Sequence, residues 1–208
     1  ARLKVRPSER AVKRPTRGTS ACRRRGLYCG QSFRLVQALA FWKAVTMDRS
    51  DLLDRLIDLL RGQHIPFCVI GGQGANASAD PLVSLDLDLV VATERIADIE
   101  GLFGRDFKVE RFVHSLNVSA PGSDLRVQFR TDPRYAPFLD HATTREVLGL
   151  SLPVARIEDV LQGKVWAAQD PHRRRSKRQK DLADIARLLD VDTRLRSLVP
   201  EDLLSKLV

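Results

Sequence analysis

The chain has 208 residues, of which 43% are hydrophobic, and it carries a formal net charge of +9. This length fits one domain with a sizeable core and an appended segment. No apolar run is long enough to cross a membrane, so no membrane partner is expected. The three cysteines do not suggest a disulfide framework. Cys68 lies in an apolar run and is predicted to be a buried free thiol.

The positive charge is concentrated at the start of the chain. Residues 1–46 contain 12 Lys or Arg and a single acid, Glu9, which gives a net charge of +11. The other residues include 23 basic and 25 acidic side chains, a net charge of −2. The net positive charge of the chain therefore comes from the first 46 residues. It does not indicate that residues 47–208 bind nucleic acid.

Residues 1–46 are predicted to be a basic, disordered extension, and residues 47–208 to form one domain. Met47 is the only methionine, and a strongly periodic segment follows it. We therefore favour Met47 as the natural start, with residues 1–46 read through from upstream. An organellar transit peptide and a nucleic-acid-binding tail are the alternatives.

The first half of the domain alternates helical and strand patterns. Leucines recur at helical spacing after Met47, which predicts an amphipathic helix. Short apolar runs then predict buried strands, and Gly71-Gly72 ends the first of them. The predicted elements are a helix at 48–62, strands at 67–70 and 85–92, and a helix at 93–103.

The second half begins with β segments and ends with helices. Leu125, Val127 and Phe129 alternate with polar residues, as in a half-buried strand. The predicted elements are β segments at 107–113, 116–120 and 124–130, and helices at 156–169, 176–189 and 200–207. Together these elements predict an α/β (α+β) fold, with a mixed central sheet, helices on one side and a helical C-terminal part.

The most informative motif is Gly71-Gly72, followed after thirteen residues by Asp86-Leu-Asp88. Alternate residues of a strand share a face, so the two carboxylates are expected to lie side by side while Leu85, Leu87 and Leu89 face the core. Adjacent carboxylates repel unless a cation lies between them, and Mg²⁺ prefers one or two carboxylates plus substrate phosphates. Two glycines allow backbone N–H groups to approach a phosphate. The alternative is the solvated face of an edge strand.

This motif resembles the signature of the DNA polymerase β-like nucleotidyltransferase superfamily, in which Asn76 and Ser84 match positions that often carry small polar groups. Residues 154–164 and 180–185 resemble the C-terminal half of AbiEii-type nucleotidyltransferase proteins, some of which are toxins of toxin–antitoxin systems. The resemblance covers about Ile65 to Leu189. The resemblance implies a nucleotidyltransferase-like fold. If the toxin members are the right comparison, it also implies an antitoxin protein as a partner.

The resemblance also implies roles for individual residues. Asp86 and Asp88 would be catalytic and hold Mg²⁺ or Mn²⁺, and Gly71 and Gly72 would border the triphosphate of an NTP. Lys164 would contact the nucleotide phosphates, and Asp184 would help to shape the site. The alternatives are a surface lysine at position 164 and an ordinary ion pair between Lys180 and Asp184, four residues apart.

One position departs from the family pattern. Active members usually carry a third carboxylate on the strand at 124–130, and Gln128 stands about where that acid is expected. Glutamine can neither act as a base nor give a negative charge to a metal. Asp124 shares the face but lies about 7 Å earlier along the strand. Either Asp124 substitutes, or two carboxylates suffice, or catalysis is impaired.

A basic cluster precedes the last long helix. It is the one such cluster in the domain and could hold an RNA backbone or a triphosphate, although a solvated helix start is the simpler interpretation. The cluster residues are Arg173, Arg174, Arg175, Lys177 and Arg178.

Three functions stay open: an Mg²⁺-dependent nucleotidyltransferase acting on a hydroxyl acceptor such as RNA, a catalytically impaired module that binds a nucleotide or a protein, and a nucleic-acid binder.

Overall fold

The structure is a computed structural model that describes residues 51–207, apart from the side chain of Thr93. The predictions for residues 1–46 and for a helix start at Asp48 lie outside the described residues. Within the described part, no helix has the length and apolar character needed to cross a membrane.

A seven-stranded mixed sheet forms the centre of the described region. The strands are β1 (Phe67–Ile70), β2 (Asp86–Val91), β3 (Lys108–Phe112), β4 (Ser115–Ser119), β5 (Arg126–Arg130), β6 (Thr143–Val147) and β7 (Leu150–Val154). Their order across the sheet is β3-β4-β5-β2-β1-β7-β6. The central strand, β2, runs parallel to β5 and antiparallel to β1.

Helices cover both faces of this sheet. The α-helices of the described region are α1 (Leu52–Gly62), α2 (Gly71–Asn76), α3 (Ile96–Phe103), α4 (Ile157–Gln169), α5 (Arg175–Val191) and α6 (Glu201–Leu204). Short 3₁₀ helices occupy Thr93–Arg95, Pro133–Phe138 and Thr193–Leu198.

Two hydrophobic cores lie on the two sides of the sheet. On one side, α1 and α3 pack on alternate strand residues such as Val69, Leu87 and Leu89. On the other side, α4 and α5 pack on Cys68, Ile70 and Val90. Because strand side chains alternate, each strand supplies both cores. Full burial of one such aliphatic side chain contributes about 1.5–3 kcal/mol. The site face is the one that α4 and α5 cover.

The predicted fold class is confirmed: the sheet is mixed, helices flank it, and the C-terminal part is helical. The expectation of helices on one side of the sheet was wrong, because α1 and α3 cover one face and α4 and α5 cover the other. Cys68 is a buried free cysteine as predicted. Burial, together with the nearby Asp159 carboxylate, raises the pKa of its thiol to about 12.

The sequence analysis missed the hairpin of β6 and β7. Its turn residues Leu148 and Gly149 both have positive φ, 53° and 81°, which is the backbone of a type I′ turn. Such turns favour Asn-Gly, and a leucine at the first position gives no turn signal. The helix α2 was also missed, because two glycines ordinarily end an element.

Candidate functional site

Asp86 and Asp88 lie side by side on β2, as the spacing predicted. Leu87 lies between the two aspartates and Leu89 follows them, and both are fully buried in the core on the other face of the sheet. Leu85, just before the strand, is only half-buried. The Asp88 side chain is 15% exposed and that of Asp86 is 32% exposed. Both carboxylates therefore face a partly enclosed space on the α4–α5 side of the sheet.

The edge-strand alternative is wrong, since β2 is the fourth of seven strands. Asp88 pairs with Ile70 of β1 on one side and with Gln128 of β5 on the other. A pair of carboxylates at the centre of a sheet is more costly to bury than one at its edge, so these residues require cationic partners.

Gly71 directly follows β1 and makes room for Asp88. Its φ is +67°, and a Cβ placed on it would lie 2.9 Å from both Cβ and Cγ of Asp88. Any larger residue would combine an unfavourable backbone conformation with a collision. Gly72 lies against Ser84, where an added Cβ would be 3.5 Å from the hydroxyl oxygen. Gly71 therefore borders Asp88, and Gly72 lines the same cleft beside Ser84; that the two glycines border a triphosphate stays a prediction.

Three cationic side chains contact the carboxylate pair. Lys177 Nζ lies 3.0 Å from Asp86 Oδ2, and Arg126 Nε lies 3.1 Å from Asp86 Oδ1. Arg130 Nη2 donates to Asp88 Oδ1 at 3.1 Å. Burial opposes the charge of Arg130, but Asp88, together with Tyr135 and Asp181, outweighs burial and raises the pKa of this guanidinium. The pair is thus neutralised by groups from β5 and α5.

Lys164 lies at the centre of a buried ionic cluster. It is 8% exposed, and its Nζ lies 2.6 Å from Asp184 Oδ2 and 3.2 Å from Asp181 Oδ1. Burial alone would lower the pKa of the ammonium, but Asp184 and Asp181, followed by Asp88, raise it above its ordinary value. The alternative of a surface lysine is therefore wrong. Two of the three N–H donors of Lys164 are engaged in these contacts.

Asp184 also contacts a residue that the sequence analysis did not single out. Arg187 Nη1 donates to Asp184 Oδ1 at 2.6 Å, and its Nη2 donates to Asn76 Oδ1 at 2.9 Å. The suggested pair of Lys180 with Asp184 is wrong, because Asp184 bonds to Lys164 and Arg187 instead. Arg187 links α5 to the end of α2.

These groups line one cleft of about 140 Å³, called the central cleft below. Five cationic side chains and four carboxylates surround it, so the site carries more positive than negative charge. The cations are Lys164, Arg173, Lys177, Lys180 and Arg187, and the carboxylates are Asp86, Asp88, Asp181 and Asp184. Such a lining suits a polyanion that accepts charge-assisted hydrogen bonds.

Gln128 occupies the position across from Asp88 where the third carboxylate was expected. Its Nε2 donates to Ser115 Oγ at 3.0 Å, so the amide is tied to β4. Asp124 lies before β5 begins and is exposed. The predicted strand at 124–130 therefore starts two residues too early, and the structure does not bring Asp124 onto the strand face beside Asp88.

The basic cluster is partly turned inward. Arg173 Nε donates to Asp181 at 2.8 Å, Lys177 contacts Asp86, and Arg178 Nη2 donates to the backbone oxygen of Asp170 at 2.6 Å. Arg174 and Arg175 are exposed. The cluster is therefore not a uniform solvated face: part of it completes the central cleft, and the two arginines at the start of α5 point outward.

A second, larger pocket of about 430 Å³ adjoins the cleft, and Arg173 lines both. Its wall includes Tyr135 and Trp166, whose rings meet edge to face at 5.3 Å. The guanidinium carbon of Arg134 lies 4.9 Å from the centre of the Trp166 ring. Arg130 lines this pocket as well. The volume is within the range typical of small-molecule sites.

The donor set permits one divalent cation and no larger cluster. Among the described residues, no group of three or more His, Cys, Asp or Glu is placed to hold a metal. Gly71 leaves room for the Asp88 carboxylate itself, and two adjacent carboxylates suit one Mg²⁺ that takes its other ligands from phosphates and water. A single magnesium ion at Asp86 and Asp88 is compatible with these two carboxylates and stays a prediction.

No protein-family model matches the sequence, and no curated protein matches it. Solved structures do match. The antibiotic-resistance factor ANT(2'')-Ia aligns over 71% of this chain and 90% of its own, at 13% identity and a TM-score of 0.49. A crystal structure of the same factor contains adenylyl-2''-tobramycin.

Two further structures are similar. An antigenic nucleotidyltransferase-like protein from Paracoccidioides brasiliensis is 19% identical, with a TM-score of 0.46, over 80% of this chain and 87% of its own. The lincosamide antibiotic adenylyltransferase LnuA, with lincomycin bound, is 12% identical, with a TM-score of 0.43, over 69% and 99%. The chain is similar to nucleotidyltransferases. The nucleotidyltransferase superfamily and the AbiEii-type subgroup, which the motif around Asp86 and the C-terminal residues predicted, stay predictions.

The sequence analysis overlooked several groups that the fold brings to the cleft. Asp181 and Arg187 each lie three residues from Asp184 on α5, so helical spacing places all three on neighbouring positions of one face. Arg130 shares the polar face of β5 with Gln128, which the alternation of that strand already showed. The contact of Asp181 with Lys164 depends on how α5 packs on α4, and that of Arg130 with Asp88 depends on the pairing of β5 with β2. The sequence carries no signal for either arrangement.

Proposed function

We propose that this chain is an Mg²⁺-dependent nucleotidyltransferase that moves a nucleoside monophosphate from an NTP to a hydroxyl acceptor. The observation that carries the proposal is the central cleft itself. Two carboxylates stand at the centre of the sheet, in a cleft that five cationic side chains and two further carboxylates also line. This combination suits a divalent cation and a polyphosphate at one place.

The chain's own residues would divide the work of binding. Lys177 and Lys180 would contact the triphosphate, and the third N–H of Lys164 would reach a phosphate oxygen while Asp181 and Asp184 hold its ammonium in place. Asp184 would in this way shape the site without touching the nucleotide. Gly71 and Gly72 would allow the phosphates to approach the backbone. Asp86 and Asp88 would hold Mg²⁺, or Mn²⁺, which neutralises phosphate charge when bound.

The transfer step itself is a substitution at the α-phosphorus. The acceptor oxygen forms a bond to that phosphorus, the bond to the bridging oxygen breaks, and pyrophosphate leaves with the electron pair. The hydroxyl proton passes to water or to a carboxylate of the pair, because Gln128 cannot take it as a base. The adjoining 430 Å³ pocket offers room for the acceptor.

RNA is the acceptor that the outward basic residues favour. Arg174 and Arg175 are exposed at the start of α5, beside Arg173, Lys177 and Arg178, and could contact a phosphodiester backbone. If the chain acts as an AbiEii-type toxin, an antitoxin protein is a further partner. An antitoxin would be expected to bind the purified chain and to suppress transfer.

The proposal is tested by incubating the full chain with Mg²⁺, total RNA and each α-labelled NTP in turn. Transfer is expected with the unmodified chain and should be lost in Asp86→Asn and Asp88→Asn. Asp124→Asn is the matched control, since it removes an exposed aspartate outside the cleft. Equal transfer by all four proteins would refute a role for the carboxylate pair.

A second candidate function rests on Gln128. With an amide where a third carboxylate is expected, the chain would bind a nucleotide or a protein without transferring anything. This module would retain nucleotide affinity in the absence of any label transfer.

A nucleic-acid binder is the remaining alternative. Its affinity for nucleic acid would depend steeply on salt concentration, and this dependence would survive Asp86→Asn.

A further inference from the structure

Two exposed apolar side chains stand at the mouth of the charged central cleft. Leu82 is 52% exposed and Val83 is 60% exposed, and both line the cleft together with Asp86. They belong to the loop at 77–85, which connects α2 to β2. Exposed aliphatic groups next to a site for charged ligands indicate contact with an apolar part of a ligand.

The loop at 77–85 is held in place by side chains. Asn76 Nδ2 donates to the backbone oxygen of Leu82 at 2.7 Å, and the Leu82 N–H donates to Asn76 Oδ1 at 3.0 Å. Gln73 Nε2 donates to the backbone oxygen of Ser84 at 3.2 Å. Arg187 donates to the backbone oxygen of Asp80. Leu82 and Val83 are therefore presented by a preorganised backbone, which reduces the ordering cost of ligand contact.

The size of the cleft requires part of a nucleotide to lie outside it. Its volume of about 140 Å³ is below the roughly 300–1,000 Å³ of sites that enclose a whole small molecule. The phosphates match the lysine and arginine side chains that line the cleft. The base is the apolar, planar remainder, and base faces pack well on apolar side chains.

We propose that Leu82 and Val83 form the surface on which the base of the incoming nucleotide packs. This inference rests on the proposed function and adds what recognises the base. Both backbone groups of Leu82 are already bonded to Asn76, so this residue offers the base its aliphatic face and no hydrogen-bonding edge. The site should therefore prefer purines over pyrimidines by contact area, and discriminate weakly between adenine and guanine.

The test is calorimetric titration of the full chain with Mg²⁺-tripolyphosphate and with each Mg²⁺-NTP. Tripolyphosphate carries the charges of the nucleotide without its base. The double variant Leu82→Ser/Val83→Ser should bind ATP and GTP about tenfold more weakly, equivalent to about 1.4 kcal/mol. Its affinity for tripolyphosphate should not change, and its preference for purines should disappear.

The matched control is Phe112→Ser/Val113→Ser, which removes two exposed apolar side chains (54% and 87% exposed) from the β3–β4 hairpin. This control should bind every ligand as the unmodified chain does. Equal affinity of the unmodified chain for ATP and tripolyphosphate would overturn the inference alone. So would an unchanged ATP affinity in the double variant. If neither ligand binds the unmodified chain, the proposed function itself fails.

Discussion

Replacing glycines one at a time separates the two reasons why position 71 requires glycine. Gly71→Ala would place a methyl group 2.9 Å from Asp88 Cβ at a φ of +67°. Gly122→Ala has a comparable φ of +82°, but nothing lies within 4 Å of its added methyl group. Gly101→Ala, in the middle of α3, has neither problem.

The expected magnitudes follow from these differences. An alanine in the left-handed region costs about 1–2 kcal/mol, which is the whole effect expected for Gly122→Ala. Overpacking adds about 1–3 kcal/mol, so Gly71→Ala should lose about 2–5 kcal/mol of unfolding free energy. Gly101→Ala should gain about 0.5–1 kcal/mol, because alanine favours a helix.

Equilibrium unfolding in urea, followed by circular dichroism, measures all three variants. Gly71→Ala should also weaken Mg²⁺-NTP binding, since Asp88 must move away from the added methyl group and from Arg130. Gly122→Ala should leave binding unchanged. If Gly71→Ala were no less stable than Gly122→Ala, the close packing of Gly71 on Asp88 would be refuted.

Three further predictions concern the buried lysine, the free thiol and the third carboxylate position. The pKa of Lys164 is raised from 10.5, so its stabilisation is present below that pH and is lost as the pH rises through the higher folded value. Lys164→Met should lower the unfolding free energy by about 3–5 kcal/mol at neutral pH. In urea unfolding, the variant should no longer lose stability at alkaline pH; an unchanged loss would contradict the role of Lys164 in the ionic cluster. Because burial raises the pKa of Cys68 to about 12, a Cys22→Ser/Cys29→Ser chain should react with a thiol reagent only as fast as it unfolds, and rapid labelling of the folded protein would contradict this. Gln128→Glu should raise the transfer rate by roughly 10²-fold if a missing base limits catalysis, with Asp124→Glu as the unaffected control; no increase would mean that two carboxylates suffice.

The local patterns of the sequence predicted most of the sheet and the carboxylate pair. Alternation on β5 and the apolar run of β1 are set by burial on one or both faces, so they can be seen in the sequence. The spacing of Asp86 and Asp88 places them on one face of any strand. Position 71 could be recognised as important only through its motif, because its contact with Asp88 joins two strands.

The contacts that complete the site join residues far apart in sequence. Lys177 meets Asp86 across 91 positions, and Arg187 meets Asn76 across 111. The helical pattern of α5 shows which residues share a face but not where the helix crosses the sheet. The suggested ion pair between Lys180 and Asp184 was wrong for this reason: the buried Lys164 of α4 contacts Asp184 instead.

The most direct test of the central claim is the Mg²⁺ dependence of nucleotide affinity. Calorimetric titration of each NTP, with and without Mg²⁺, should show affinity about tenfold higher with the cation for the unmodified chain, a coupling of about 1.4 kcal/mol. In Asp86→Asn/Asp88→Asn the coupling should vanish while cation-free binding persists through the lysines. Equal Mg²⁺ coupling in both proteins would show that Asp86 and Asp88 do not hold the metal.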